Sequence, residues 1–410
     1  MGGDHFRTHV RLFSVGLAAN LAYVASGVVK QYLIAAQLAV VDVGRYGSWT
    51  AQAALLLVLL PFPAYLSVLI RGFSASSDDD AVRSRLMADV RQERHVLALM
   101  TALVLVGTLA YSSVKHHLVA TPVALALLLL AQYVGLTADI TLRMHRAHGR
   151  LAVFMAVRNV PSLLLIATLG LQSPVLIAVA ELLSAALTGW LARRGATFHS
   201  DQARRWRPTL DKEQATLWSA RLFQYLNASL LRLLVPFLFA AHETGLFFFA
   251  CIAQIPSSLF LSVTTQIFGH ALARMQRGEY RAIAVIQGLF VLPNLVYVAG
   301  LAVLVPHWAD LITMLPRLTQ YAGVGSLVLA VALYSAVLAS DCQEYLLRSR
   351  GLSRVLLLYN VSSILIQIAC LALGYLKHMT IEATIMLCAA AAAAVLLLFS
   401  AYSFRLVIRA

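Results

Sequence analysis

Twelve long apolar runs, separated by short polar breaks, occupy almost the whole chain. They span residues 12–37, 46–70, 95–114, 122–142, 151–172 and 174–192 in the first half. In the second half they span 214–240, 246–270, 282–305, 322–347, 355–376 and 381–404. About 20 apolar residues in a helix suffice to cross a bilayer, so this pattern predicts twelve membrane helices. Against that background the stretch Ser219–Phe239 stands out, because it carries Arg221 and Arg232. These lie three helical turns and roughly 20° apart, with Tyr225 and Ala228 on the same stripe. Each arginine costs about 2.5–3.5 kcal/mol at the bilayer centre and less toward the ends. A helix that keeps such residues turns them toward protein or water, so the stripe predicts a cationic cavity.

Composition sharpens this picture. Of 410 residues, 60% are hydrophobic and only 12% charged, with mean hydropathy +0.79. Soluble domains are nearer 25% charged. The formal charge of +14 would suggest nucleic acid only if the basic residues gathered on one folded surface. They recur instead in short loops between apolar runs, so no nucleic-acid partner is expected. The solvent implied is the lipid bilayer. Cys251, Cys342, Cys370 and Cys388 all lie within apolar segments with no metal-binding spacing, which makes them packing residues. No metal or cofactor is expected. No small-residue cleavage site follows the first apolar run, which reads as a first membrane helix rather than a signal peptide.

Lysine and arginine set the orientation. The termini and the alternate loops 71–94, 143–150, 193–213, 270–281 and 348–354 hold 24 of the 32. The opposite loops hold four: Arg45, Lys115, Arg317 and Lys377. By the positive-inside rule both termini are cytoplasmic.

The halves echo each other at an offset of 201–202 residues. Gly44 matches Gly245, Lys30 matches Arg232, Asp139 matches Asp341, Arg146 matches Arg348, and Gly149 matches Gly351. Six helices between copies give them the same orientation, a parallel repeat. The fold class is therefore an all-α polytopic membrane protein of twelve transmembrane helices, in two six-helix bundles around a central cavity. Residues 1–192 form the first bundle, 193–213 a basic cytoplasmic linker, and 214–410 the second.

Four cations lie inside apolar segments: Lys30, Arg158, Arg221 and Arg232. Together with Tyr225 they are the candidate substrate-binding residues, an outer pair and an inner pair suited to phosphate or pyrophosphate. Arginine binds phosphate through a planar fork and lysine as a compact charge. Snorkelling of the long side chains to the head groups is the competing role. Asp139 with Arg143 and Arg146, and Asp341 with Glu344 and Arg348, sit on one helix face each at the inner mouth. They are candidates for gating or coupling. Glu181, alone in the sixth segment, is a candidate to neutralise Lys30 or Arg232, or to take up a proton. Pro161, Pro236, Pro256, Pro293 and the Pro61–Phe62–Pro63 run each remove backbone hydrogen bonds and predict bends.

The run DVGRYGSWTAQAALLL contains the turn Gly44–Arg45–Tyr46–Gly47 between a first and a second helix. It resembles the Gly-x-Tyr-[Ser/Gly] turn of the Wzx-type polysaccharide and O-antigen flippases, with Leu38–Ala39–Val40–Val41–Asp42 in place of their usual Leu-Gly-Pro-like lead-in. Those proteins share a superfamily with the multidrug-and-toxin exporters and the lipid II flippase. The resemblance implies a bacterial inner-membrane protein that moves undecaprenyl-pyrophosphate-linked oligosaccharide, such as a lipopolysaccharide precursor, to the periplasmic leaflet. It also implies ion-gradient coupling without an ATP site, and other polysaccharide-assembly proteins as partners. A drug or metabolite antiporter of the same superfamily is the alternative, although cationic drugs call for a cavity richer in acids than one isolated Glu181. A membrane glycosyltransferase or polymerase is a third class. The longest outer connection, 306–321, offers only His307, Asp310 and Arg317, with no paired carboxylates, so no enzyme is expected.

Overall fold

The computed structural model describes residues 3–59, 120–144, 148–194, 212–261, 263–264, 280–315, 317–340 and 353–409. Every regular element among them is helical. In the first half these are α1 (Gly3–Gln37), α2 (Val40–Leu59), α3 (Ala120–Met144), α4 (His148–Val157), α5 (Val160–Leu169) and α6 (Pro174–Arg193). In the second half they are α7 (Lys212–Leu238), α8 (Ala241–Ala250), α9 (Tyr280–Leu304), α10 (Trp308–Thr313), α11 (Gly325–Ala339), α12 (Ser353–Leu376) and α13 (Ile381–Arg409). Six described helices are long and apolar enough to cross a membrane: Gly149–Leu169, Pro174–Ala192, Ala241–Leu261, Val285–Thr313, Arg354–Leu376 and Ile381–Tyr402. Their outward faces carry large apolar side chains such as Leu183, Leu292, Val296, Leu365 and Leu397. Apolar surface of this extent matches a hydrocarbon solvent, and the protein is a multi-pass membrane protein. The third predicted segment, 95–114, and the Pro61–Phe62–Pro63 run lie outside the described residues.

The internal repeat is written into the helix ends. α1 stops at Gln37 and α2 starts at Val40; α7 stops at Leu238 and α8 starts at Ala241, each 201 residues on. The corner hydrogen bonds repeat at the same offset. Leu38 N–H donates to the Ile34 carbonyl as Phe239 N–H does to Val235, and Val43 to Ala39 as Thr244 to Ala240. Packing repeats as well. α3 packs chiefly against α6, and α11, its counterpart, against α13; α5 lies against α6 as α12 lies against α13.

By compactness the chain divides into two units, Met1–Leu33 with Trp49–Trp218, and Ile34–Ser48 with Ser219–Ala410. In the second unit the α1–α2 corner packs on its own repeat copy. A Cβ on Gly44 would stand 2.9 Å from the Gly245 nitrogen. One on Gly245 would run into the Val40 carbonyl, and one on Gly47 into the Phe248 ring. Glycine is required here by close approach, since the opposing atoms are backbone and a packed ring. Gln320 adds a side-chain bond to the Ala35 carbonyl at 3.2 Å. It belongs to the connection around α10, where Phe249 stacks on the buried Tyr321 at 3.9 Å between centroids.

Prolines bend two predicted segments and are absorbed by two more. The 151–172 segment, expected as one helix, is two: α4 ends at Val157, α5 begins at Val160, and Arg158 and Asn159 form a turn between them. Pro161 has no N–H to offer the Val157 carbonyl and its ring crowds that oxygen, so the helix breaks one turn upstream. In the eighth segment α8 gives way to a 3₁₀ turn, Cys251–Ala253, ahead of Pro256. There the Tyr297 hydroxyl donates to the Ala253 carbonyl at 2.8 Å. α7 and α9 run on through Pro236 and Pro293.

The alanine-rich run near 388–395 packs closely, as its small residues allow. Cys388, Ala389 and Ala392 are buried. At the turn into α13, Gly374 lies against the Thr384 side chain, leaving no room for a Cβ.

Candidate functional site

In the first unit the broken fifth segment sets a polar centre. The turn leaves the Arg158 carbonyl to a side chain, while the Asn159 carbonyl keeps a helical bond from Leu163 N–H at 3.0 Å and takes a side chain as well. Ser184 Oγ donates to the Arg158 carbonyl at 2.9 Å, and Ser162 Oγ to the Asn159 carbonyl at 3.0 Å. The Asn159 amide donates to Ser26 Oγ at 3.2 Å and to the Tyr23 carbonyl at 3.4 Å, which joins it to α1. With its nitrogen so committed, its oxygen faces Lys30, whose ammonium donates to Oδ1 at 3.3 Å. The same ammonium forms an ion pair with Glu181 of α6 at 2.8 Å. Only 14% of the lysine side chain and 16% of the glutamate side chain is exposed, so the pair is largely desolvated. Arg158 turns back over the Tyr23 ring, 5.7 Å from its centroid, a cation–π contact, and its guanidinium comes against Gly135 of α3. Lys30, Arg158 and Glu181 are thus brought together, with Glu181 paired to Lys30.

The second unit holds Arg232 differently. Sequence comparison at an offset of 202 matched it to Lys30, but the helix corners set the offset at 201, which aligns Lys30 with Leu231. One residue of register is 100° around a helix. Leu231 is accordingly buried at 1% exposure, and Arg232 turns instead toward the eighth segment, where it hydrogen-bonds Gln254 Oε1. The Cys251 thiol lies beside the same guanidinium, and Arg232 Nε has no hydrogen-bond partner among the described residues. Tyr225, about two turns earlier on α7, is partly buried and bonds Ser229. The Arg221 side chain lies outside the described residues, although α7 includes its backbone.

Asp139 is partly buried on α3. The Arg143 side chain, Arg146, and the whole set Asp341, Glu344 and Arg348 lie outside the described residues.

One polar network was not anticipated. At its centre is Asn227 of α7, whose Oδ1 accepts from Ser363 at 2.8 Å and from Gln367 at 2.7 Å. Its Nδ2 donates to Asn360 Oδ1 at 3.4 Å. The Tyr334 hydroxyl donates to Gln367 Oε1 at 2.6 Å, and Gln367 Nε2 also reaches Ser363 Oγ at 2.9 Å. All five residues are buried, Gln367 completely. A signal for this existed. Asn227 and Asn360 stand 201 residues after Ser26 and Asn159, so each half ties its first helix to its fifth through the same position. The first half keeps cations and a carboxylate at this tie; in the second the described hydrogen-bonded partners are neutral amides and hydroxyls, with Arg232 close enough for its charge to act on Tyr334.

No protein-family model and no curated protein sequence matches the chain. Solved structures do. The chain superimposes on the MATE multidrug transporter DinF-BH with TM-score 0.65 at 16% identity, over 98% of this chain and 96% of that one. This is the fold of the MOP-superfamily transporters. The lipid II flippase MurJ, in an inward closed conformation, matches with TM-score 0.61 at 11% identity, covering 96% of this chain and 87% of that one. A MOP-superfamily transporter from Pyrococcus furiosus Vc1 (DSM3638), described by a binding pocket of reverse polarity that suggests a different function, matches with TM-score 0.61 at 12% identity. It is covered over 95% of its length by 97% of this chain. These neighbours are transporters and flippases rather than enzymes.

Proposed function

We propose that the chain is a flippase for an anionic lipid-linked glycan. It carries undecaprenyl-pyrophosphate-linked oligosaccharide from the cytoplasmic to the periplasmic leaflet of a bacterial inner membrane by alternating access, in the manner of the Wzx-type proteins. Twelve transmembrane helices in two six-helix repeats, with both termini cytoplasmic, are part of this reading. The observation that carries it is the sign of the charges placed within the helices. Lys30, Arg158 and Arg232 are partly buried inside apolar segments, against Glu181 among them and Asp139 near the end of its segment. Desolvated cations are costly, and a protein retains them where a travelling anion offsets the cost. Among the described residues Arg232 Nε–H has no partner, and Arg158 lies over the Tyr23 ring. Arg221 is assigned to the same cationic set, with Tyr225 as a hydroxyl donor. Asp139, Arg143, Asp341, Glu344 and Arg348 are assigned to gating at the cytoplasmic side.

The likeness to a lipid II flippase supports a phosphate-bearing lipid as cargo, and the likeness to MATE exporters supports a drug or metabolite antiporter. The excess of cations supports the first, because a cationic drug would meet like charge on Lys30, Arg158 and Arg232. The test is flipping of a fluorescent undecaprenyl-pyrophosphate-linked saccharide by the purified protein in vesicles, beside uptake of a cationic dye. Flipping without dye transport is expected; dye transport alone would replace the flippase with the exporter.

A further inference from the structure

Lys30 and Glu181 already form a complete ion pair, so the cationic site of the first unit is occupied from within. We propose that Glu181 is an internal counter-anion: it neutralises Lys30 while the site is empty and is displaced by the phosphates of the cargo. This rests on the flippase reading and assigns that site its competitor.

The geometry supports displacement rather than permanent structure. The Lys30 ammonium is also held by Asn159 Oδ1, itself fixed by Ser26 and Tyr23, so it has a second anchor besides Glu181. An ammonium has three donors, and the carboxylate and the amide occupy two. Exposure of 14% and 16% leaves the pair reachable while removing most competing water. A pair so desolvated would be costly to leave as a lone lysine, because a buried charge without a partner is expensive. Arg158, on the residue before Asn159, brings a second cation to the same cluster, where its guanidinium meets the Tyr23 ring and Gly135. The three formal charges sum to one positive. A monovalent carboxylate therefore leaves the cluster under-neutralised, and a diphosphate with two or more charges can satisfy both cations at once. Glu181 consequently lowers affinity for the anion while giving the empty carrier a neutral partner for its return step.

The variant Glu181→Gln keeps side-chain length and an oxygen acceptor for Lys30 but removes the competing charge. Binding of inorganic pyrophosphate to the full-length detergent-purified protein would be measured by calorimetry. Flipping of the pyrophosphate-linked saccharide in vesicles would be measured alongside. Glu181→Gln is expected to tighten pyrophosphate binding several-fold and to lower maximal flipping by a similar factor, with KM and kcat falling together. Glu181→Asp, which restores the charge, should return both toward wild type, and Lys30→Gln should weaken binding. A wild type that binds and flips, with a Glu181→Gln variant unchanged or weaker in binding, would overturn the counter-anion and leave the flippase standing. A wild type silent to pyrophosphate in both assays would overturn both.

Discussion

Replacing Asn227 with alanine strikes the centre of the buried amide network, and its cost can be worked out bond by bond. Three hydrogen bonds go, to Ser363, Gln367 and Asn360. Side-chain hydrogen bonds between membrane helices average about 0.6 kcal/mol each, which gives roughly 2 kcal/mol for three. What remains behind decides the rest. Gln367 keeps Tyr334 and Ser363, and so stays satisfied. Asn360 keeps its donor bond to the Leu356 carbonyl but loses the partner of its own oxygen, in a residue only 2% exposed. An orphaned buried acceptor adds about 1–3 kcal/mol. The expected total is therefore about 3–5 kcal/mol. Equilibrium unfolding in mixed micelles with rising SDS, followed by helix content, measures it. Ser26→Ala provides the internal control, since Ser26 occupies the equivalent position but gives Asn159 only one of its two acceptors. That change should cost under about 1 kcal/mol. If Asn227→Ala cost less than about 1 kcal/mol, or no more than Ser26→Ala, the network would not be the tie between α7 and α12 described above.

Gly44→Ala and Gly245→Ala should each lower stability by about 1–3 kcal/mol, because the new methyl meets backbone. Gly135→Ala should cost clearly less, because its new methyl meets the movable tip of Arg158 at 3.0 Å; thermal unfolding of purified protein compares the three, and equal losses would refute the distinction. Arg232→Ala and Arg221→Ala should each lower complementation of a flippase-deficient strain at least tenfold with normal membrane insertion, and full activity in both would remove the cationic set from transport. Pro161→Ala should allow a helical hydrogen bond from residue 161 to the Val157 carbonyl, yet reduce flipping by moving Arg158 and Asn159. Unchanged flipping would show that the break serves packing alone.

The apolar runs were legible because a bilayer imposes its thickness on the sequence, and the described spans overlap those runs, although Val285–Thr313 continues past 305 into the stretch read as a connection. The repeat was legible from Gly44 and Gly245, which close approach forbids to change. The break at Arg158–Asn159 was half legible. Pro161 announced a bend, but the helix yields at the carbonyl four residues upstream, where the polar side chains stand. The asparagine network was missed because single amides in apolar runs look incidental until the 201-residue offset pairs them.

Sequence alone determined which residues are cations in a hydrophobic setting, how the segments divide, and that two copies of one plan exist, since all three are properties of order along the chain. Tertiary structure alone decided whom each cation meets. Lys30 and Arg232 differ by one residue of register, which is roughly a third of a helical turn. That rotation gives one lysine a glutamate and an asparagine, and turns the arginine to a glutamine on another helix. A side chain's partner depends on helix rotation and packing, and those are settled only when neighbouring helices close around it.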